Sequence, residues 1–248
     1  MNLKFESEAM KEFGISVIMP AFNEEKTILQ IASRVLLQEK VRQLIIVDDC
    51  SADKTWDLIN SISDPRVETI RHDKNQGKGA AIRTAQSVVR NSITLVQDAD
   101  LEYDPSQYPK LIMPIVNGHA DVVYGSRFQT GEMRRVVYFW HYLGNKFLTL
   151  LSNSFSNINL SDMETCYKVI RSDLFKKIEI EESRFGFEPE LTAKLAAMKA
   201  RFYEVSISYH GRTYEEGKKI GVKDGFRAIY CILKYNLWSR PKVSSQSK

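Results

Sequence analysis

The chain is poor in the residues that build disulfide or zinc frameworks. Its three cysteines, Cys50, Cys166 and Cys231, are scattered without metal-ligand spacing. An odd, dispersed set fits reduced thiols in a cytosolic protein better than a secreted disulfide scaffold. Long apolar runs are missing too. No window approaches the roughly 18 uncharged apolar residues of a spanning helix. Residues 1–13 are polar and mixed in charge, without the apolar core of a signal peptide. The expectation is a chain that is soluble or at most peripheral to a membrane. Charge of one sign is not in excess either: a net charge of +4 gives no case for nucleic-acid binding. It remains compatible with an anionic substrate or membrane surface. Neither a Walker A sequence nor a GxGxxG pattern occurs, so ATPase and dehydrogenase readings gain no support. With 248 residues, one α/β domain, alone or with a small appendage, is the default.

What is present is a regular alternation. Apolar, β-branched runs at 15–19, 44–47, 67–71, 93–96 and 121–124 read as strands. Amphipathic stretches at 25–39, up to about residue 62, at 80–89 and from Pro105 to about residue 116 read as helices between them. Asn23 is the expected N-cap of the first helix, with acids in its first turn, and Asp53 or Ser51 caps the second. This βαβαβα order implies a mostly parallel central sheet flanked by helices, with right-handed crossovers.

The strand ends carry the chemistry. The run Ile93–Val96 stops abruptly in Gln97-Asp98-Ala99-Asp100-Leu101-Glu102. Open α/β sheets bind ligands at that edge. Asp98 and Asp100 can converge on one cation, with Glu102 as a third ligand, and such hard oxygen donors suit Mg²⁺ or Mn²⁺ shared with substrate phosphates. An isolated Asp-x-Asp is more often a solvated turn, so the other strand ends decide. At the second, Asp48 or Asp49 can accept hydrogen bonds from a base or ribose, and side-chain alternation lets only one of them face the site. Gly77-Lys78-Gly79 offers backbone N–H groups and a cation at a helix start, as an anion site or as a plain turn. Arg127 falls at the fifth strand end, as a surface residue or a phosphate contact.

Taken together, Pro20-Ala21-Phe22-Asn23-Glu24, Val47-Asp48-Asp49-Cys50-Ser51, Asn75-Gln76-Gly77-Lys78-Gly79, Asp98-Ala99-Asp100 and Gly125-Ser126-Arg127-Phe128 resemble the inverting family 2 glycosyltransferases. Within that family the chain resembles polyprenyl-phosphate glycosyltransferases of the dolichol-phosphate mannose synthase type. The resemblance implies the GT-A (nucleotide-diphospho-sugar transferase) fold over 14–225, with a nucleotide-sugar half at 14–128 and an acceptor half at 129–225. Residues 1–13 would be an extension and 226–248 an amphipathic helix with a polar tail. Pro20, Phe22, Glu24, Val47 and Asp49 would hold the nucleoside, with Asp48 close by. Asp98 and Ala99 would line the diphosphate, with Lys78 also on the nucleotide-sugar side. Asp100 would bind the metal, while Asp100 and Arg127 would carry catalysis. Cys50, where the family commonly has glycine, would alter its turn but be tolerated. Arg127, Arg134, Arg135, Arg212 and Lys219 would contact the acceptor phosphate, Lys218 being a near-equal alternative to Lys219. Asp162-Met163-Glu164-Thr165-Cys166-Tyr167-Lys168 resembles the acceptor-side stretch that begins with an acid. Glu188 and Glu190 read as helix-start acids or as sugar contacts.

Two aromatic stretches flanked by cations, 134–151 and 226–240, read as interfacial membrane helices or as core helices. With a lipid-phosphate acceptor implied, they point to peripheral contact with the cytoplasmic face of a membrane and to a membrane-anchoring subunit. The expected activity is transfer of a hexose from a nucleoside diphosphate sugar to a polyprenyl phosphate. The alternatives are a transferase acting on a glycan hydroxyl, with Asp162 or Glu188 as general base, and a catalytically silent nucleotide-sugar-binding scaffold.

Overall fold

Runs of β-branched residues with both faces covered form the centre of the molecule. The computed structural model describes residues 13–212 and 222–238. Among them, seven strands form one sheet: β1 (Ile15–Ala21), β2 (Val41–Asp48), β3 (Val67–Arg71), β4 (Ile93–Val96), β5 (Val122–Ser126), β6 (Lys168–Arg171) and β7 (Phe202–Ser206). Their order across the sheet is β3-β2-β1-β4-β6-β5-β7. The helices are α1 (Ile28–Leu36), α2 (Thr55–Asn60), α3 (Lys78–Gln86), α4 (Tyr108–Val116), α5 (Phe139–Ser156), α6 (Ser172–Phe175), α7 (Phe187–Ala197) and α8 (Val222–Leu233). Every residue of β4 is buried, as a strand covered on both faces must be.

The parallel half follows the expected alternation. β1 lies between β2 and β4, parallel to both, and β3 extends the sheet beyond β2. β6 departs from it by running antiparallel between β4 and β5, with Leu95 opposite Val169 and Tyr124 opposite Lys168. This reversal has a functional consequence. The start of β6 lies at the same edge as the carboxyl ends of β4 and β5, so the segment leading into β6 reaches the strand-end acids.

The first helix begins later than its sequence pattern predicts. α1 starts at Ile28 and has no acid in its first turn, because the chain makes a turn through Asn23 at φ 51°. Asn23 therefore does not cap it; its Oδ1 accepts from the Ala52 N–H at 2.9 Å and ties two strand-end loops together. Ile28, Ile31, Ala32 and Val35, spaced one helical turn apart, are the buried face of α1. Asp53 Oδ1 accepts from Thr55 N at 2.9 Å, at the entry to α2. α8 packs on α5 and α7, and a π-helical turn, Lys234–Trp238, continues it.

Two loop positions depend on backbone conformation. Gly77 has φ 99°, and a Cβ there would run into the Ser183 carbonyl oxygen. Cys50 adopts φ 62°, the left-handed region that glycine enters without a Cβ clash. Gly77→Ala is expected to lower stability by about 1–3 kcal/mol, measured by urea unfolding, whereas Cys50→Gly should leave the midpoint unchanged or raise it.

Candidate active site

The carboxyl ends of β1, β2, β4 and β5 open into one cleft of about 860 Å³. Pro20, Phe22 and Glu24 line it from the end of β1, and Asp49 from β2. Asp49 is fixed by three donors: Gln76 N at 2.8 Å, Gly77 N at 2.7 Å and His72 Nδ1 at 2.7 Å. Asp48 turns the other way. It is buried under the loop, 3.2 Å from Arg71 Nε, and does not line the cleft. Val47 is likewise a core residue beneath it. Alternation along β2 thus exposes one acid of the pair.

The acids after β4 are divided between two cations. Asp98 Oδ1 lies 2.8 Å from Lys78 Nζ, and the same ammonium lies 3.1 Å from Glu188 Oε1. Burial favours the neutral acid at Asp98, yet Lys78 holds its carboxyl below the usual range. Asp100 instead meets Arg212: Nη2 lies 2.6 Å from Asp100 Oδ2, Nε 3.2 Å from Glu102 Oε1 and Nη1 3.4 Å from Glu24. Burial, then the charges of Asp98 and Glu102, push the Asp100 carboxyl up to about 7 against the pull of Arg212.

The expected trio of metal ligands is therefore not one cluster, since Asp98 belongs to Lys78 while Asp100 and Glu102 share Arg212. Among the described residues no three His, Cys, Asp or Glu side chains are grouped so as to hold a metal ion by themselves. Asp100 and Glu102 nonetheless fit a cation in part, because they already hold the guanidinium of Arg212 through hard carboxylate oxygens. A Mg²⁺-type ion commonly takes only one or two protein carboxylates and completes its shell with phosphates and water.

Arg127 sits opposite, at the end of β5. Asp162 grips it through Nε at 2.7 Å, Nη2 at 2.7 Å and the backbone N–H at 3.0 Å. Burial opposes the charged guanidinium, but Asp162 keeps its pKa well above the ordinary value. Arg134 and Arg135 do not line the cleft. Arg134 Nη1 donates to the Arg127 carbonyl at 2.5 Å and Arg135 Nη1 to the Gly211 carbonyl at 3.1 Å, so both brace the cleft's rim. Arg212 lines the cleft with its guanidinium on the acids. Lys218 and Lys219 lie outside the described residues.

Some of the site was not singled out from sequence. Tyr209 Oη donates to Glu102 Oε2 at 2.8 Å, and its ring lies 5.2 Å from the Arg127 guanidinium. Glu164 lines the cleft beside Glu188, and Glu164 Oε1 and Glu188 Oε2 are buried without hydrogen-bond partners among the described residues. The only sequence signal for Glu164 is its place in the short acidic stretch before β6, and that signal means little unless β6 is known to run antiparallel.

Burial and the Glu188 charge push the Glu164 carboxyl up from 4.5 to about 8. The folded chain then keeps a proton that the unfolded chain releases. The associated stability is full below pH 4.5 and is lost as pH rises through about 8. In ligand-free protein, the fall in Tm over that range should be shallower for Glu164→Gln than for the parent chain.

The fold is that of GT-A glycosyltransferases. Glucosyl-3-phosphoglycerate synthase from Mycobacterium tuberculosis, solved with Mn²⁺, UDP and glucosyl-3-phosphoglycerate, superposes with a TM-score of 0.72 at 18% identity, covering 95% of this chain and 84% of that one. Residues 16–179 match Glycosyl transferase family 2, and the chain belongs to that family. Dolichol-phosphate mannosyltransferase from Pyrococcus furiosus is 27% identical over 228 residues, which cover 89% of this chain and 64% of that protein. Undecaprenyl-phosphate mannosyltransferase from Micrococcus luteus is 26% identical over 240 residues, covering 91% and 95% respectively. The chain thus spans just under two thirds of the first relative and nearly all of the second.

Proposed function

We propose that this glycosyltransferase moves a hexosyl group from a nucleoside diphosphate sugar to a polyprenyl monophosphate, with inversion and with Mg²⁺ or Mn²⁺. The observation that carries the reading is the course of the cleft. It runs from the strand-end acids to an apolar wall formed by Val137, Trp140 and Leu148 of α5 and the segment before it. Beyond that wall α5 presents Phe139, Leu143 and Leu150 to solvent, and Val136 just before it is 92% exposed. Such a face is suited to a prenyl chain or a bilayer surface. Both relatives named above act, by their names, on polyprenyl-type phosphates.

In this reading Pro20, Phe22, Glu24 and Asp49 hold the nucleoside, and Asp98 with Ala99 borders the diphosphate. Asp100 and Glu102 would hold the divalent cation, in the place the Arg212 guanidinium takes here. The cation, when bound, offsets negative charge gathering on the departing diphosphate. A phosphate monoester with a second pKa near about 6 is largely ionised at neutral pH and needs no general base. Arg127, locked by Asp162, orients it for attack on the anomeric carbon from the face opposite the leaving group. Arg212, which pairs with these acids here, would be the second cation for the same phosphate.

The hydroxyl-acceptor alternative needs a free carboxylate base, and the candidates are otherwise engaged. Asp162 is spent on Arg127, Glu188 is paired with Lys78, and Glu164 holds its proton up to about pH 8. Membrane contact is proposed as peripheral, on the cytoplasmic face, with a separate anchoring subunit compatible with it. Among the described residues no helix is long and apolar enough to cross a bilayer.

Thermal stabilisation by nucleoside diphosphate sugars, screened with and without Mn²⁺, tests the donor assignment; no response to any of them would remove it. Asp100→Asn should keep the far-UV spectrum and lower transfer about 100-fold or more. Arg212→Ala should bind Mn²⁺ more tightly, read by electron paramagnetic resonance, while transfer falls about tenfold or more. Charge on the apolar face, Phe139→Glu with Leu150→Glu, should abolish flotation with anionic vesicles containing polyprenyl phosphate and leave nucleotide-sugar binding intact. Equal flotation of both proteins would count against the membrane face.

A further inference from the structure

The geometry points to Glu164 and Glu188 as the residues that read the transferred sugar, and to a neutral, hydroxyl-bearing hexosyl group, not a hexuronosyl group, as what they accept. This inference rests on the nucleotide-sugar reading and adds the class of sugar to it.

The sheet order places the subsite. The candidate nucleoside residues lie at the ends of β2 and β1, and the candidate diphosphate residues follow β4. The next strand across is β6, whose start faces the same edge because it runs antiparallel to β4. Glu164 lies just before β6, and Glu188 joins it from the first turn of α7. Lys78, bridging Asp98 at 2.8 Å and Glu188 at 3.1 Å, links this pair to the diphosphate position. A group attached to the diphosphate on the side away from the nucleoside therefore meets Glu164 and Glu188.

The chemistry at that spot is specific. Glu164 Oε1 and Glu188 Oε2 are buried polar atoms without a partner among the described residues. Buried oxygens left unsatisfied are costly, and a ligand hydroxyl is the natural donor to complete them. Glu164 holds its proton up to about pH 8, so at neutral pH it donates as well as accepts, as sugar hydroxyls do. A hexuronosyl group would bring a further carboxylate to this wall. The nearby cations are already engaged: Lys78 by Asp98 and Glu188, Arg127 by Asp162, and Lys168 by the Met163 and Thr165 carbonyls at 2.8 and 2.6 Å. Arg184 lines the cleft from the loop before α7 and is the cation to control for.

The test measures binding, in Mn²⁺, of UDP, UDP-glucose and UDP-glucuronate, and of GDP, GDP-mannose and GDP-mannuronate. Within the series whose free nucleotide binds, the hexose should add affinity and the uronic acid should add none. Glu164→Ala and Glu188→Gln should each lower hexose-nucleotide affinity about tenfold or more, and Glu164→Ala should leave that of the free nucleotide unchanged. Glu164→Gln should retain the hexose donor better than Glu164→Ala. A uronic acid bound as tightly as its hexose, with that binding lost in Arg184→Ala, would overturn the inference by showing that this wall reads an anion. Equal loss of free-nucleotide and hexose-nucleotide affinity would also overturn it. If neither UDP nor GDP binds, the nucleotide-sugar reading itself falls.

Discussion

The site depends on balancing buried and half-buried acids with a few positioned cations. Asp98, Asp100, Glu102, Asp162, Glu164 and Glu188 cluster around one sheet edge. Such a group of like charges would repel itself. Three cations answer it: Lys78 between Asp98 and Glu188, Arg127 on Asp162, and Arg212 across Asp100, Glu102 and Glu24. The first two come from the start of α3 and the end of β5, rigid parts of the scaffold. Arg212 comes from the segment after β7, held to the rim by Tyr209 on Glu102 and by the Arg135–Gly211 contact. The cation that must leave for the proposed metal to bind is thus the one carried on a loop.

The sheet converts this balance into an ordered surface. Parallel pairing of β2, β1 and β4 brings their carboxyl ends into line, and the antiparallel β6 brings its own start to the same edge. The cleft accordingly reads, in the proposed account, as nucleoside, diphosphate and sugar across neighbouring strands. The apolar wall of α5 and Arg127 close the side from which an acceptor phosphate would come. Gly77 is pressed against the Ser183 carbonyl, which also accepts from Ala80 N at 3.1 Å, so the α3 start is joined to the loop before α7.

Much of this was legible in the sequence because local signals and tertiary structure agree there. β3 and β4 fall on the residues their apolar runs mark, and the strand-end motifs meet in one cleft, as their repetition implied. The single inward acid of the Asp48–Asp49 pair follows from strand alternation. The misses are non-local. No periodicity reveals that β6 inserts antiparallel, so Glu164 was named only within an acceptor-side stretch and not by itself as a residue of the cleft. Pairing of Asp98 with Lys78 and of Asp100 with Arg212 spans 20 and 112 positions, beyond any spacing rule. Asn23 looked like a cap because it precedes an amphipathic run, yet its left-handed backbone serves the loop to Ala52 instead.

In the proposed reaction an ionised lipid phosphate, and no hydroxyl, receives the sugar. The most direct measurement incubates the protein with labelled nucleoside diphosphate sugars, Mn²⁺ and polyprenyl phosphate, then follows the label through organic extraction and mild acid. The expected result is an extractable product that releases its sugar in mild acid, as a glycosyl phosphate does. An acid-stable glycoside, formed without any need for the lipid phosphate, would contradict it.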